Sequence, residues 1–199
     1  METRDEVQKH QQLWDRMLTH NKFNMKLMYD ALTEHDNVVD WRNIFNRNMA
    51  RPRAKFITWM LCHEKLATKD RLRRFNLITD SICSICKAAD ESIAHLFFDC
   101  RENREVWCQI LQWIENIHSP LPWPDELRWI VKESNKKGWR ASLLRMAFSE
   151  TVYGIWYRRN NIVFGKDPNT NIVNSIIDSI VYRCWLSKKF RDHVAHLMM

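Results

Sequence analysis

A stretch rich in potential metal ligands, CSICKAADESIAHLFFDC, occupies residues 83–100 of this 199-residue chain. It pairs Cys83 with Cys86 at the spacing of a tight knuckle and places Cys100 five residues after His95. Structural zinc is held by four thiolate or imidazole ligands in a tetrahedron, with spacings of this kind. We therefore predict one structural Zn²⁺ bound by these four side chains. The alternative is that they are ordinary core residues at a fortuitous spacing.

The predicted zinc site has consequences for local conformation and for chemistry. Residues five apart on an ideal α-helix are rotated by roughly 140° from one another. A helix that contains His95 must therefore end or bend before Cys100. Four protein ligands leave no coordination position for water, so the pattern does not predict a catalytic zinc. The expected role is folding, because zinc binding to such motifs contributes about 10–16 kcal/mol in small peptides.

Composition and periodicity predict a mostly α-helical chain. The sequence has 3 Gly and 5 Pro, too few for the many turns of a large sheet. Apolar residues recur at helical spacing in segments 6–23, 53–66, 69–77, 101–117, 125–132, 139–164 and 171–190. We predict a helical domain with a small Cys-Cys-His-Cys zinc-binding loop, and we allow one short two-stranded β-ribbon at the cysteine knuckle.

The order of these segments suggests four regions. They are an N-terminal helix or extension (1–22), a zinc-binding domain (23–117), a proline-containing linker with a short helix (118–137) and a C-terminal helical region (138–199). Helical spacing predicts two packing faces within the second region. One is an apolar face formed by Phe56, Ile57, Met60 and Leu61, with Leu66 farther along. The other packs a short helix, 69–74, against the zinc loop through Leu72 and Phe75.

The cysteines and the residue types near the N-terminus indicate the cellular compartment. No run of about 18 apolar residues occurs, so we expect no membrane partner. The first residues, METRDEVQKHQQLWD, contain acidic groups and no apolar stretch, unlike a secretory leader. We therefore expect an intracellular, reducing compartment, with the nucleus or cytoplasm favoured. The thiols of Cys62, Cys108 and Cys184 lie on apolar helix faces and are interpreted as buried packing groups, and His63 as a surface residue.

Positive charge is concentrated just before the cysteine stretch. The net charge is +7, and residues 51–74 contain eight basic and two acidic groups. Such an excess favours an anionic partner, although a solvated surface that keeps the protein soluble is the alternative. The candidate nucleic-acid contacts are Arg51, Arg53, Lys55, Lys69, Arg71, Arg73, Arg74, Lys87 and Arg104. Among them, Arg71 and Arg74 share one face of the predicted helix 69–74 and are the predicted phosphate contacts.

The cysteine stretch and its surroundings resemble a known family. With Glu91 ahead of HLFFDC, the stretch is similar to the zinc-binding domain of plant non-LTR (LINE-type) reverse transcriptases. The resemblance covers roughly residues 23–164. Before the cysteines it includes Trp41, Pro52, Lys55, Phe56, Trp59, Leu66, Thr68 and Leu72. After them it includes Trp107, Ile155, Trp156, Arg159, Asn160 and Phe164, whereas Phe45 departs from the usual Trp.

The resemblance implies the same four zinc ligands and a retroelement origin, either as a remnant or as a host protein derived from one. The sequence contains no Tyr-x-Asp-Asp motif and no recognisable endonuclease or RNase H signature, so we predict no enzymatic activity and no small-molecule substrate. Two functions remain. The first is a nucleic-acid-binding module, for RNA rather than DNA, that uses the basic residues and stacking aromatics. The second is an interaction subunit of a protein assembly, with zinc purely structural.

Overall fold

The computed structural model describes residues 18–19, 22–23, 39–166 and 171–195. The chain divides into two units, Met1–Asp40 and Trp41–Met199. In the first unit, strands β1 (Leu18–Thr19) and β2 (Lys22–Phe23) pair antiparallel, with Leu18 opposite Phe23. The helix predicted over 6–23 is therefore wrong for these four residues; the rest of it lies outside the described residues.

The second unit is helical, which confirms the mostly α prediction. A 3₁₀-helix over Asp40–Ile44 leads into it. The α-helices that follow are α1 (Pro52–Cys62), α2 (Lys69–Arg74), α3 (Arg101–Trp113), α4 (Asp125–Ser134), α5 (Trp139–Val163), α6 (Ile172–Trp185) and α7 (Lys188–Val194). A π-helical turn over His95–Asp99 precedes α3. Within the described residues, no helix is both long and apolar enough to cross a membrane.

Helix α5 lies at the centre of this unit. It packs against α1, α3, α4 and α6, and every residue from 143 to 152 is buried. A helix enclosed on all sides is usually apolar all round, but α5 also buries polar groups. Asn48 satisfies two of them by donating to the Arg145 carbonyl (3.0 Å) and to Ser149 Oγ (2.9 Å). The short segment between the 3₁₀-helix and α1 is thereby fixed to the central helix.

The proline-containing segment predicted as a linker is held against α3 and α4. Its anchor is Glu126, a fully buried side chain in the first turn of α4. The Glu126 carboxylate accepts hydrogen bonds from Trp107 Nε1 (2.7 Å) and from the backbone N–H of Leu121 (2.7 Å), and it pairs with His118 Nε2 at 2.9 Å. The His118 ring also stacks on Trp129 with a centroid distance of 3.5 Å. One carboxylate thus joins two helices and their connection.

Helix α1 presents a different face to the core than its periodicity predicted. The residues that it buries are Ala54, Thr58 and Leu61, which face α5. Phe56 is 58% exposed, so the predicted apolar face of Phe56, Ile57, Met60 and Leu61 is wrong for this ring. The physical reason is the close packing of α1 on α5, which favours the small Ala54 and Thr58 at the contact and turns the large ring outward.

Candidate metal centre

The four side chains selected by spacing converge in the structure. The ligand atoms of Cys83, Cys86, His95 and Cys100 all lie within 4.8 Å of one another. In a tetrahedral site with metal–sulfur distances of about 2.3 Å, neighbouring ligand atoms are about 3.8 Å apart. Cys86 Sγ and His95 Nε2 are 3.2 Å apart, somewhat shorter than that spacing. Three thiols and one imidazole are a donor set that suits Zn²⁺, so the cluster could hold one such ion.

The first two ligands lie in a tight hairpin. The backbone N–H of Cys83 donates to the Ala89 carbonyl (2.8 Å), and the N–H of Lys87 donates to the Cys83 carbonyl (3.1 Å). Lys87 adopts a left-handed backbone, with φ of 57°, which reverses the chain just after Cys86. The predicted ribbon is reduced to a single antiparallel bridge between Ile82 and Asp90. This bridge joins the two ends of the turn that carries Cys83 and Cys86.

The last two ligands are brought together by the π-helical turn. The backbone N–H of Cys100 donates to the carbonyl of His95 at 2.7 Å, which is a bond between residues five apart. This wider turn places residues five apart closer to one face than an α-helix does. Cys100 itself is extended, with ψ of 117°, and α3 begins at the next residue. The expected bend between His95 and Cys100 is confirmed.

The pKa of Cys83 distinguishes the cluster from the cysteines outside it. A hydrogen bond from Cys100 lowers the pKa of Cys83 to about 4, helped by the backbone N–H groups of Cys86 and Ile85, while the same contact raises the pKa of Cys100. Cys83 is thereby favoured as a thiolate, the form in which cysteine binds zinc. Burial raises the pKa of Cys62 to about 12 and that of Cys184 to about 11, as for inert packing thiols.

Glu91 lies within residues 83–100, the zinc loop that contains the four candidate ligands, and it is fully buried. Its Oε1 accepts hydrogen bonds from Arg159 Nε (2.9 Å), from Arg159 Nη2 (2.6 Å) and from the backbone N–H of Lys69 (3.1 Å). The N–H of Ser84 approaches Oε2 at 3.4 Å. The Glu91 backbone bonds to the Ser81 carbonyl (2.7 Å) and accepts from the Asp70 N–H (3.0 Å). The sequence placed Glu91 and Arg159 in the resemblance but gave no sign that they form a pair.

Helix α2 is attached to the zinc loop, although not by the predicted apolar contact. Phe75 is 62% exposed, so its predicted packing is wrong. The attachment uses hydrogen bonds from Lys69 Nζ to the Ile82 carbonyl (2.7 Å) and from Arg73 Nη1 to Ser81 Oγ (2.9 Å). These long side chains span the gap to the loop, and the ring beyond the end of the six-residue helix is left in solvent.

Two of the nine candidate basic contacts, Arg51 and Arg104, also bond to groups in distant parts of the fold. Arg51 pairs with the buried Glu150, with Nη2 2.6 Å from Oε2, and lies over the Tyr153 ring. Arg104 donates to the carbonyls of Phe98 and Pro120. Of the others, Lys69 and Arg73 join α2 to the zinc loop, Lys55 is half-buried, and Arg53 and Lys87 are exposed.

A groove of about 480 Å³ runs beside the zinc loop. Arg71, Arg74 and Phe75 line one part of it, and Trp123 and the segment 92–94, next to the ligand His95, line another. The Arg71 guanidinium lies 5.8 Å from the centre of the Phe75 ring and donates to the Glu64 carbonyl. Arg74 is 77% exposed and pairs with Asp70 at 3.1 Å. The groove thus combines two cations, an exposed ring and partly compensating carboxylates.

A second surface, the aromatic face of α1, consists of Trp41, Phe56, Trp59 and His63. Phe56 and Trp59 are stacked with centroids 6.1 Å apart, and His63 contacts both Trp59 (4.4 Å) and Trp41 (4.9 Å). Phe56 and Trp59 are largely exposed. Exposed aromatic clusters of this kind occur at binding surfaces.

Comparison with known proteins agrees with this geometry. Residues 23–107 match a family model described as zinc-binding in reverse transcriptase. The segment contains all four residues of the cluster, so this part of the chain is similar to the zinc-binding domain of reverse transcriptases. Arg159, the partner of Glu91, lies outside the matched residues.

A curated relative supports the retroelement connection. The chain is 22% identical over 94 residues to an Arabidopsis thaliana protein named "Putative ribonuclease H protein". The alignment covers 45% of this chain and 15% of that protein. No solved structure matches the chain. Together with the family match, this relative supports the resemblance to a retrotransposon-derived zinc-binding domain.

Proposed function

We propose that this chain is a non-catalytic, zinc-stabilised module that binds single-stranded nucleic acid, RNA rather than DNA, in the groove beside the zinc loop. The observation that carries the proposal is the pairing of two arginines, Arg71 and Arg74, with an exposed ring, Phe75, on a helix fixed to that loop. Cations that contact phosphates and rings that stack on bases are the usual parts of a single-strand binding surface.

The individual groups suit these roles. Arg74 is well exposed, and its pair with Asp70 is a surface contact that contributes little and can be exchanged for a phosphate. Phe75 offers an open ring face for a base, and stacking of this kind contributes about 1–3 kcal/mol per base. Arg71, beside the same ring, can contact the adjoining phosphate.

The zinc loop contributes rigidity. The N-terminal backbone of α2 is bound to Glu91 through the N–H groups of Lys69 and Asp70, so the groove is largely formed before a ligand arrives. A preformed surface loses less conformational entropy on binding than a mobile basic segment. A full set of four protein ligands leaves no open position on zinc, which supports a structural metal and a non-catalytic chain. None of the six cysteines forms a disulfide, which favours an intracellular, reducing compartment, the nucleus or cytoplasm.

The double variant Arg71→Gln/Arg74→Gln tests the groove. We expect weaker binding to a single-stranded RNA, and a slope of log affinity against log salt that is smaller in magnitude by about 1.4, because each phosphate contact on a single strand contributes about 0.7. Fluorescence anisotropy at several salt concentrations measures both quantities. Zinc content and melting temperature are expected to stay unchanged, since exposed charges contribute little to folding.

A matched control removes two exposed cations elsewhere on the chain. Arg128 and Lys136, on or just after α4, also form surface pairs with nearby carboxylates. Arg128→Gln/Lys136→Gln is expected to leave the salt slope within error of the unmodified chain. Equal losses in the two double variants would mean that only net charge matters, and an unchanged affinity in Arg71→Gln/Arg74→Gln would exclude the groove as the binding site.

The aromatic face of α1 supports a second candidate function, a subunit of a protein assembly. Phe56 and Trp59 expose large apolar area of the kind that anchors protein interfaces. An interface of this type survives high salt and RNase treatment, whereas phosphate contacts weaken steeply with salt. A native partner that is retained under both conditions and released by Phe56→Ser/Trp59→Ser would favour this function over RNA binding.

A further inference from the structure

The ion pair between Glu91 and Arg159 connects the zinc loop to the central helix. Glu91 is fully buried and the Arg159 side chain is 4% exposed, so neither charge is solvated by water. An isolated buried carboxylate is strongly unfavourable unless it is paired and hydrogen-bonded. Arg159 meets that requirement with two bonds to the same oxygen, and it is itself held by the Trp156 ring at 5.0 Å and by Asn160 Oδ1 at 2.9 Å.

The groups around Glu91 belong to the structure that presents the metal ligands. Ser84, whose N–H faces the carboxylate, lies between the two knuckle cysteines. Ser81, whose carbonyl accepts from the Glu91 N–H, lies two residues before Cys83. Glu91 itself is four residues before His95. The Glu91 carboxylate thus contacts the backbone between Cys83 and Cys86, and the Glu91 backbone contacts the segment that precedes Cys83.

We propose that Arg159 is a positioning residue for the zinc site, and that it acts on the metal ligands through Glu91. The zinc-binding unit of this chain then extends from the ligand loop to helix α5, beyond the residues 23–107 that match the family. Groups behind the ligands of a metal site commonly change its affinity by about 10–100-fold when they are removed. This inference concerns the metal site and stands independently of the RNA-binding proposal.

The neighbouring arginine provides a matched control. Arg158 precedes Arg159 on α5 and pairs with Glu102 at 2.9 Å. Glu102 lies two residues after Cys100, but it is half exposed and is not one of the groups that bond to the Glu91 carboxylate. We expect Arg159→Met to weaken zinc binding by the full chain about 10–100-fold, and Arg158→Met to leave it unchanged. Competition with a chromophoric zinc chelator measures the dissociation constant of each variant.

A double-variant cycle distinguishes action through Glu91 from general destabilisation. If Arg159 positions the ligands through this carboxylate, Glu91→Gln/Arg159→Met has a zinc affinity close to that of Glu91→Gln alone. Fully additive losses, or an unchanged affinity in Arg159→Met, would overturn the proposal. Should Arg159→Met fail to fold, Arg159→Lys keeps the charge and loses the planar fork. It is expected to weaken zinc binding measurably, and wild-type affinity in that variant would also overturn the proposal.

Discussion

Removal of zinc by an excess of chelator is expected to unfold the ligand loop and helix α2. Zinc binding contributes about 10–16 kcal/mol in zinc-finger peptides, as much as the whole stability of a typical domain, about 5–15 kcal/mol. The loop contains a single antiparallel bridge and no regular sheet, so the metal is expected to be the main link between its two pairs of ligands. Hydrogen exchange reports the change directly, since the amides of Cys83, Glu91 and Cys100 are hydrogen-bonded within the loop.

Two controls are available: zinc is added back to the stripped protein, and a cysteine outside the cluster is replaced. Zinc added back to the stripped protein is expected to restore protection of these three amides. Cys108→Ser alters a half-buried thiol outside the cluster and is expected to leave the chelator response unchanged. Protection and melting temperature that do not change on complete removal of the metal would show that the loop folds without it.

Replacement of Glu126 by alanine is expected to destabilise the chain by about 3–5 kcal/mol, as when one partner of a buried polar network is removed. The change leaves the Trp107 indole N–H and the Leu121 N–H without their acceptor and leaves a void between α3 and α4. It also releases His118, which pairs with the same carboxylate. Denaturant unfolding monitored by tryptophan fluorescence gives the free energy.

A second glutamate on α4 separates this effect from a change in helix propensity. Glu133 forms a surface pair with Lys136, and Glu133→Ala is expected to change the free energy of unfolding by less than about 1 kcal/mol. If Glu126→Ala lowers the free energy of unfolding no more than Glu133→Ala does, the buried network is not an anchor of the connection between α3 and α4.

The convergence of Cys83, Cys86, His95 and Cys100 could be predicted because the pattern that identifies them is local. Cys83 and Cys86 reach one ion through a short turn, and the spacing of His95 and Cys100 required the bend that the π-helical turn provides. The helical class was predictable for a similar reason, since each amphipathic segment carries its own periodicity. These features depend on residues that are near one another in the sequence.

The remaining features depend on contacts between distant segments. Glu91 and Arg159 are 68 residues apart, and many other charges could have paired with either one. The exposure of Phe56 and Phe75 follows from how α1 meets α5 and from how α2 is bound by its polar side chains, which periodicity does not specify. Arg51 and Arg104 looked like surface cations, and only their partners in the folded chain show that they support the fold.

Elemental analysis of the purified chain and of Cys86→Ser tests the central claim, that Cys83, Cys86, His95 and Cys100 together bind one zinc ion. The unmodified chain and Cys108→Ser are each expected to contain about one equivalent of zinc, whereas Cys86→Ser is expected to lose it because a hydroxyl is a poor substitute for a thiolate. An unmodified chain without zinc, or Cys86→Ser with a full equivalent, would contradict the claim.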